Sequence, residues 1–276
     1  MPGSSDRPAG ERPAPSDPGA EERSALPATA PRLLACDLDH TLVDEAGEPY
    51  PGVVAALGEL GARGVRIVPC TGRTVAAAGA GARRLGLAGG LAIAYHGGVL
   101  ADLSDGRWLE RLDLPAGFAP PAVAALLHAG AAVTAYVEDE RWEQEDGRHA
   151  DLAAALEGAA VTRLVVGGAS PRLAELLDGL LRGRTDVAVS PAPGERFELH
   201  PTAADKAAAL ARLCARLGVP PAGAVACGDG APDAAMLRWA GFGIAVAEGD
   251  AAARAAADLV VPRSALPDAL AGLVTP

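Results

Sequence analysis

Asp37-Leu38-Asp39-His40-Thr41 sets two carboxylates two residues apart and follows them with a hydroxyl. An apolar run, Leu33-Leu34-Ala35-Cys36, leads straight into the first acid. Two crowded carboxyl groups cannot ionise with equal ease, so their proton affinities are driven apart. One then stays charged while the other carries a proton, which suits nucleophilic or acid–base chemistry. Three other places offer complementary groups: Thr71-Gly72-Arg73, Lys206, and the acids that open and close Gly228-Asp229-Gly230-Ala231-Pro232-Asp233. Taken singly, each has a bland reading: a strand end in solvent, a turn, a surface lysine, a loop. Together, each at an apolar strand end or a helix start, they describe one site.

The surrounding pattern is what could bring them together. Strand-like runs at Leu33–Cys36, Val65–Pro69 and Leu91–Tyr95 alternate with helical stretches at Pro51–Arg63 and Thr74–Leu85. The rhythm returns late: a helix over Asp205–Leu217, a strand over Ala222–Cys227, a helix over Pro232–Ala240, a strand over Gly243–Ala247, a helix over Ala251–Ala257, a strand over Asp258–Val261 and a helix over Ser264–Val274. Strands separated by helices imply parallel βαβ units. In an open parallel sheet, ligands bind beyond the carboxyl ends of the strands, where these groups lie. The fold expected is a doubly wound, Rossmann-like α/β core spanning 31–100 and 196–276.

Residues 101–195 break the rhythm. They mix strands (Ala131–Val137, Thr162–Val166, Asp186–Ser190) with helices (Pro121–Ala129, Ala150–Leu156, Pro171–Leu181), and no strand ends in an acid comparable to Asp37. This segment reads as an inserted α+β domain. Residues 1–30, rich in Pro, Ala, Ser and mixed charge, read as a disordered tail without the apolar stretch of a signal peptide.

Half of the 276 residues are hydrophobic and only 3% aromatic, so a sizeable core must be built from Ala, Val, Leu and Ile. Lys plus Arg number 24 against 35 Asp plus Glu, a net charge of −11. No basic run argues for nucleic acid or an anionic membrane as partner, and no run is long enough to span a bilayer. Cys36, Cys70, Cys214 and Cys227 show neither metal-ligand spacing nor a disulfide framework, which fits buried thiols in a reducing cytoplasm.

In order and type, the four stretches resemble the motifs of the haloacid-dehalogenase superfamily of phosphatases. Asp37-Leu38-Asp39-His40-Thr41 resembles DxDxT, Thr71-Gly72-Arg73 the Thr-Gly-Arg form of the second motif, Lys206 the third, and Gly228–Asp233 followed by Met236-Leu237 the GDxxND motif. An insert between the second and third motifs, and Glu198-Leu199-His200-Pro201 before Lys206, resemble the Cof-type subgroup with its α/β cap. The resemblance implies that Asp37 is the nucleophile forming an aspartyl-phosphate, and Asp39 the acid and then the base. It implies that Thr71 and Gly72 hold phosphoryl oxygens. Mg²⁺ would be held by Asp37, the Asp39 backbone carbonyl, Asp229, and Asp233 directly or through water. A phosphate dianion with three carboxylates needs both Mg²⁺ and Lys206, because two like charges about 4 Å apart repel by about 4 kcal/mol at an effective dielectric near 20. Helix N-termini beside the site would add partial positive charge. Arg73 either binds substrate or pairs with a core acid.

Three positions depart from the family pattern. His40 stands where Gly is usual. Pro232 replaces the Asn of GDxxND, removing a side-chain amide but suiting a first helical turn. Tyr95-His96-Gly97-Gly98 stands where Asn-Gly-Ala is usual, and a His-Gly pair there resembles trehalose-phosphate phosphatases. His96 is thus either a sugar-phosphate contact or a loop-capping imidazole. Trp108, Trp142 and Tyr136 are either packing or substrate contacts. The expected activity is Mg²⁺-dependent hydrolysis of small phosphorylated metabolites, sugar phosphates foremost, by a monomer or homodimer. The alternatives are a phosphomutase of the same fold, or a weakly active or non-catalytic phosphate-binding protein. A receiver-type signalling module fits poorly, being shorter and capless, with its accepting Asp on a middle strand.

Overall fold

The computed structural model describes residues 26–27, 30–87, 89–144, 151–168, 173–192 and 194–274. The tail expected over residues 1–30 lies outside the described residues apart from Leu26, Pro27 and Ala30. So do Ala150, Pro171 and Arg172, which open two of the expected helices.

The chain opens with β1 (Leu33–Cys36), α1 (Val53–Ala62), β2 (Arg66–Pro69), α2 (Val75–Arg84), β3 (Leu91–Ala94), β4 (Val99–Asp102) and β5 (Arg107–Arg111). All of β1 is buried. In α1 the buried residues are Val53, Ala56, Leu57 and Leu60, the spacing of one helical face. Next come α3 (Ala119–His128), β6 (Ala132–Val137), β7 (Glu140–Glu143), α4 (Leu152–Ala155), β8 (Val161–Gly167), α5 (Leu173–Leu181), β9 (Val187–Ala192) and β10 (Arg196–Pro201). The last part holds α6 (Lys206–Leu217), β11 (Ala224–Gly228), α7 (Ala234–Trp239), β12 (Phe242–Val246), α8 (Ala251–Ala256), β13 (Leu259–Val261) and α9 (Leu266–Gly272).

The central sheet is parallel, in the order β13-β12-β11-β1-β2. From β1 the chain moves to β2 on one side and later returns to β11 on the other, a change of direction that opens a crevice beyond the carboxyl ends of β1 and β11. Side chains alternate across the sheet. Leu34, Cys36, Val225 and Cys227 pack beneath α1 and α9, whereas Leu33, Ala35, Ala224 and Ala226 pack beneath α6 and α7. The four cysteines are buried free thiols, as expected.

The sheets show how the insert joins the core. The sequence pattern makes Leu91–Tyr95 a third parallel strand and starts the insert at residue 101. β3 joins the parallel sheet through the parallel Cys70–Ile93 bridge, with Thr71 N donating to Ile93 O (2.9 Å), and it also pairs antiparallel with β4, and β4 with β5. The reversal is made by Tyr95, His96 and Gly97, all at positive φ (52°, 52° and 101°). Likewise β10, expected in the core, pairs antiparallel with β8 and β9 in a second sheet of order β7-β6-β8-β10-β9. Residue 101 lies inside β4 and residue 196 opens β10, so both expected boundaries fall within sheets. The second sheet has its own core, in which Leu126, Leu152, Leu164, Val166, Leu177 and Leu199 meet. Among the described residues no helix is long and apolar enough to cross a membrane.

Candidate active site

Asp37 leaves the end of β1 and donates its backbone N–H to the carbonyl of Cys227 near the end of β11 (2.9 Å), which ties the two acid-bearing strand ends together. Lys206 is the first residue of α6, a helix capped by the Asp205 side chain accepting from Ala208 N (2.8 Å). Its Nζ donates to Asp37 Oδ1 (2.6 Å) and to Asp233 Oδ1 (2.7 Å). Asp233 Oδ2 accepts from the N–H groups of Asp229 (3.2 Å) and Gly230 (2.9 Å), so this acid also fixes its own turn. The expected helix over Pro232–Ala240 is accordingly split into a 3₁₀ turn, Ala231–Asp233, and α7. Thr41 is fully buried, and its hydroxyl donates to Asp229 Oδ1 (2.7 Å). It binds the first motif to the last, a role not assigned from the sequence, although a Thr two residues after paired acids was the visible sign.

One ammonium therefore faces three acids. Burial works against charge on Lys206, but Asp233 and Asp37 outweigh it and its pKa lies above the ordinary value. Burial pushes Asp37 up, Lys206 pulls it down, and Asp233 and Asp229 push it up again, to about 7. Asp229 is raised as well, by burial and then Asp233, with the Thr41 hydroxyl opposing. The site carries more negative charge than one lysine neutralises. Asp37, Asp229 and Asp233 each offer a carboxylate oxygen within 4.8 Å of the others. Three hard oxygens at this spacing, in a site short of positive charge, fit a divalent cation such as Mg²⁺.

Asp39 stands apart from this cluster. Its carboxylate takes both the Nε (2.9 Å) and the Nη2 (2.5 Å) of Arg73, and 46% of its side chain is exposed. Arg73 thus pairs with a core acid, one of the two readings open from the sequence. Thr71 is buried, and its Oγ accepts from Arg73 N (3.2 Å).

His96 closes the other side. Its ring packs against Gly72, where a Cβ would come within 2.2 Å of Cε1 and Nε2, so only glycine fits. Gly97 approaches the backbone of Asp205 as closely, a Cβ there falling 2.2 Å from Asp205 O, and so admits the residue that caps the Lys206 helix. Burial, with Lys206, Arg163 and His200 adding to it, pushes His96 down to about 3, so the imidazole is neutral at neutral pH. Its Nε2 lies 3.6 Å from Glu198 Oε2. Glu198 also accepts from Arg163 Nη1 (3.3 and 3.2 Å to its two oxygens). Arg163 was not singled out from the sequence, yet a charge in the middle of Thr162-Arg163-Leu164-Val165-Val166 marked it. Tyr136 and Trp108 pack in the cluster around Tyr95, and Trp142 borders the core of the second sheet. The first amides of α2 donate to Asp139 and Thr74. His40, where Gly is usual, has φ 59°, and Arg263 Nε donates to its carbonyl (2.8 Å).

A family model described as haloacid dehalogenase-like hydrolase matches residues 34–157 and 151–272. The chain belongs to this family. As a haloacid dehalogenase-like hydrolase of Cof type, it is an enzyme of the phosphoric monoester hydrolase class. A phosphoglycolate phosphatase of Methanopyrus kandleri is 29% identical over 231 residues, covering 83% of this chain and 90% of that one. Among solved structures, a protein of Thermotoga maritima superposes with a TM-score of 0.79 at 22% identity, over 89% of this chain and 98% of that one. A sugar phosphatase of HAD subclass IIB superposes with a TM-score of 0.70 at 19% identity, over 88% of this chain and all of that one. These last two are likenesses of fold.

Proposed function

We propose that this hydrolase is a Mg²⁺-dependent phosphatase of small phosphorylated metabolites, sugar phosphates foremost, working through an aspartyl-phosphate. The observation that carries the reading is the buried Asp37 carboxylate at the end of β1, with Lys206 Nζ at 2.6 Å and Asp229 and Asp233 beside it. Asp37 attacks phosphorus, the bond to the ester oxygen breaks, and Asp39 gives that oxygen its proton. Water then attacks the phosphoryl group, Asp39 takes the water proton, and the bond to Asp37 breaks to release phosphate. Lys206 holds Asp37 in line and balances charge that builds on phosphoryl oxygens. Thr71 donates its hydroxyl to one of them, because its oxygen already accepts from Arg73 N. Asp39 must exchange Arg73 for the leaving oxygen, which its exposed position permits. A divalent cation on Asp37, Asp229, Asp233 and the Asp39 carbonyl would offset the remaining negative charge and polarise a phosphoryl oxygen.

Sheet membership supports a core of residues 31–113 and 202–276 and a cap of 114–201 that encloses the leaving group. The cap face beside Gly72 presents the Arg163–Glu198 pair to a neutral His96. Such a mixture of donors and acceptors suits hydroxyl groups. The name of the Methanopyrus kandleri relative points instead to phosphoglycolate, whose carboxylate would have to sit beside Glu198. We place the enzyme in the cytoplasm. The test is release of inorganic phosphate from a panel of sugar phosphates, phosphoglycolate and an aryl phosphate, with and without Mg²⁺. Release only with Mg²⁺, fastest from sugar phosphates, is expected. No release from any ester would overturn the reading in favour of a mutase or a binding protein, and a preference for phosphoglycolate would overturn the substrate class.

A further inference from the structure

Each carbonyl of the Thr71–Arg73 loop has a donor. Thr71 O accepts from His96 N (3.0 Å) and Arg73 O from Tyr95 N (3.0 Å). The middle one, Gly72 O, accepts from Arg163 Nη1 (2.7 Å), whose strand β8 belongs to the second sheet, 91 residues away in the chain. The C=O and N–H of a trans peptide are coplanar and point in opposite directions. Holding Gly72 O therefore aims Arg73 N, and Arg73 N is the donor to Thr71 Oγ (3.2 Å). A hydroxyl whose oxygen already accepts is left to donate its proton outward, and chains of hydrogen bonds of this kind polarise one another. Arg163 is itself fixed from two sides. Glu198 neutralises it, and its guanidinium lies over the rings of Tyr136 (4.3 Å) and Tyr95 (4.8 Å).

A second contact from the same sheet acts at the loop's exit. Asp139, in the turn between β6 and β7, accepts from Val75 N and Ala76 N, the first amides of α2, and from Tyr95 Oη, all at 2.8 Å. Glu138 and Asp139 reach there with φ of 50° and 72°. Such backbone strain persists where the surroundings over-determine it.

We propose that Arg163 and Asp139 are positioning residues through which the second sheet sets the phosphoryl-binding loop, Arg163 by aiming the Thr71 hydroxyl through the Gly72–Arg73 peptide. This deepens the phosphatase reading and rests on it only for its kinetic consequence. The test uses the full chain with saturating Mg²⁺ and inorganic phosphate as probe. Arg163→Met with Glu198→Gln removes the donor without orphaning the acid. Asp139→Ala removes both amide contacts, and Asp139→Asn keeps one acceptor. Phosphate affinity should fall about tenfold in the Arg163/Glu198 double variant and in Asp139→Ala, with Asp139→Asn between Asp139→Ala and wild type, at a nearly unchanged melting temperature. Amide exchange at Val75 and Ala76 should quicken about tenfold in Asp139→Ala. Phosphate affinity within twofold of wild type in both loss variants would overturn the proposal, as would unchanged exchange at both amides. If either loss variant does not fold, Asp139→Asn decides: unaltered phosphate affinity there overturns it. A wild type that binds phosphate yet releases none from any ester would overturn the phosphatase reading and leave this one to the binding ratios.

Discussion

The chemistry at the scale of single residues is governed by one shortage: one lysine among three acids. Asp37 is held up to about 7, first by burial and then by its acidic neighbours, while its unfolded value is near 3.8. Between these values the folded chain binds more protons than the unfolded one, so the metal-free protein loses stability as pH rises through that window. A divalent cation competes with the proton for Asp37. The increment in melting temperature produced by Mg²⁺ should therefore grow from pH 5.5 to pH 8. Equal increments at both would mean that the cation does not sit on Asp37. Asp37→Asn should lower turnover by a factor on the order of 10⁴ or more, since it removes the nucleophile itself. The same change removes an unwelcome buried charge and leaves Lys206 its bond to Asp233, so the variant should melt no lower than wild type at pH 8 without metal. Near-native turnover in that variant would end the nucleophile assignment.

At the scale of elements, the 228–233 turn shows what was readable from the sequence and what was not. The acids of this turn lie at a strand end, and their types and spacing are local, so Asp229 and Asp233 could be picked out directly. That Asp233 would spend one oxygen on its own turn and the other on Lys206 depends on how α6 docks, which no local pattern encodes. The hairpin of β4 and β5 was missed for a related reason. Ser104-Asp105-Gly106 interrupts a short, partly charged run, and sheet membership is decided by distant partners. Arg163 was visible as a charge inside an apolar strand, but its partner lies across the fold in Gly72. Pro232 is exposed, and the two acids are held without it. Pro232→Asn should therefore raise turnover by no more than a few-fold, through the added amide. It should lower stability by about 0.4–1 kcal/mol, because the fixed φ of proline narrows the unfolded ensemble. Turnover at saturating Mg²⁺ and the melting temperature check both. A slower Asn variant would make Pro232 an adaptation rather than a partial loss.

At the scale of the whole molecule, the apolar residues form separate cores. Among the described residues, the two that flank the parallel sheet contain no residue between 114 and 201, and the core of the second sheet contains only such residues. A small cluster spans them, in which Tyr136 packs with Val75, Tyr95 and Trp108. Excision along the composition break, residues 101–195, would cut β4, delete β5 and strand β10 without its neighbours, so that protein should not fold cleanly. Excision along the sheets, joining Asp113 to Thr202 through a short flexible linker, leaves every strand of the parallel sheet and the β3–β5 sheet paired. This trimmed protein should fold, since its two cores are intact, and should retain Asp37, Lys206, Asp229 and Asp233 in place. It should lose discrimination. The spread of kcat/KM across a panel of phosphate esters should shrink at least about tenfold, as contacts to the leaving group vanish. Phosphate should bind more weakly as well, because Gly72 O and the first amides of α2 lose Arg163 and Asp139. The measurement is kcat/KM for each ester on trimmed and full-length protein, alongside circular dichroism of both. A trimmed protein that folds and keeps the full spread of selectivity would remove residues 114–201 from substrate choice, and would place specificity in the loops beyond β1, β2 and β11.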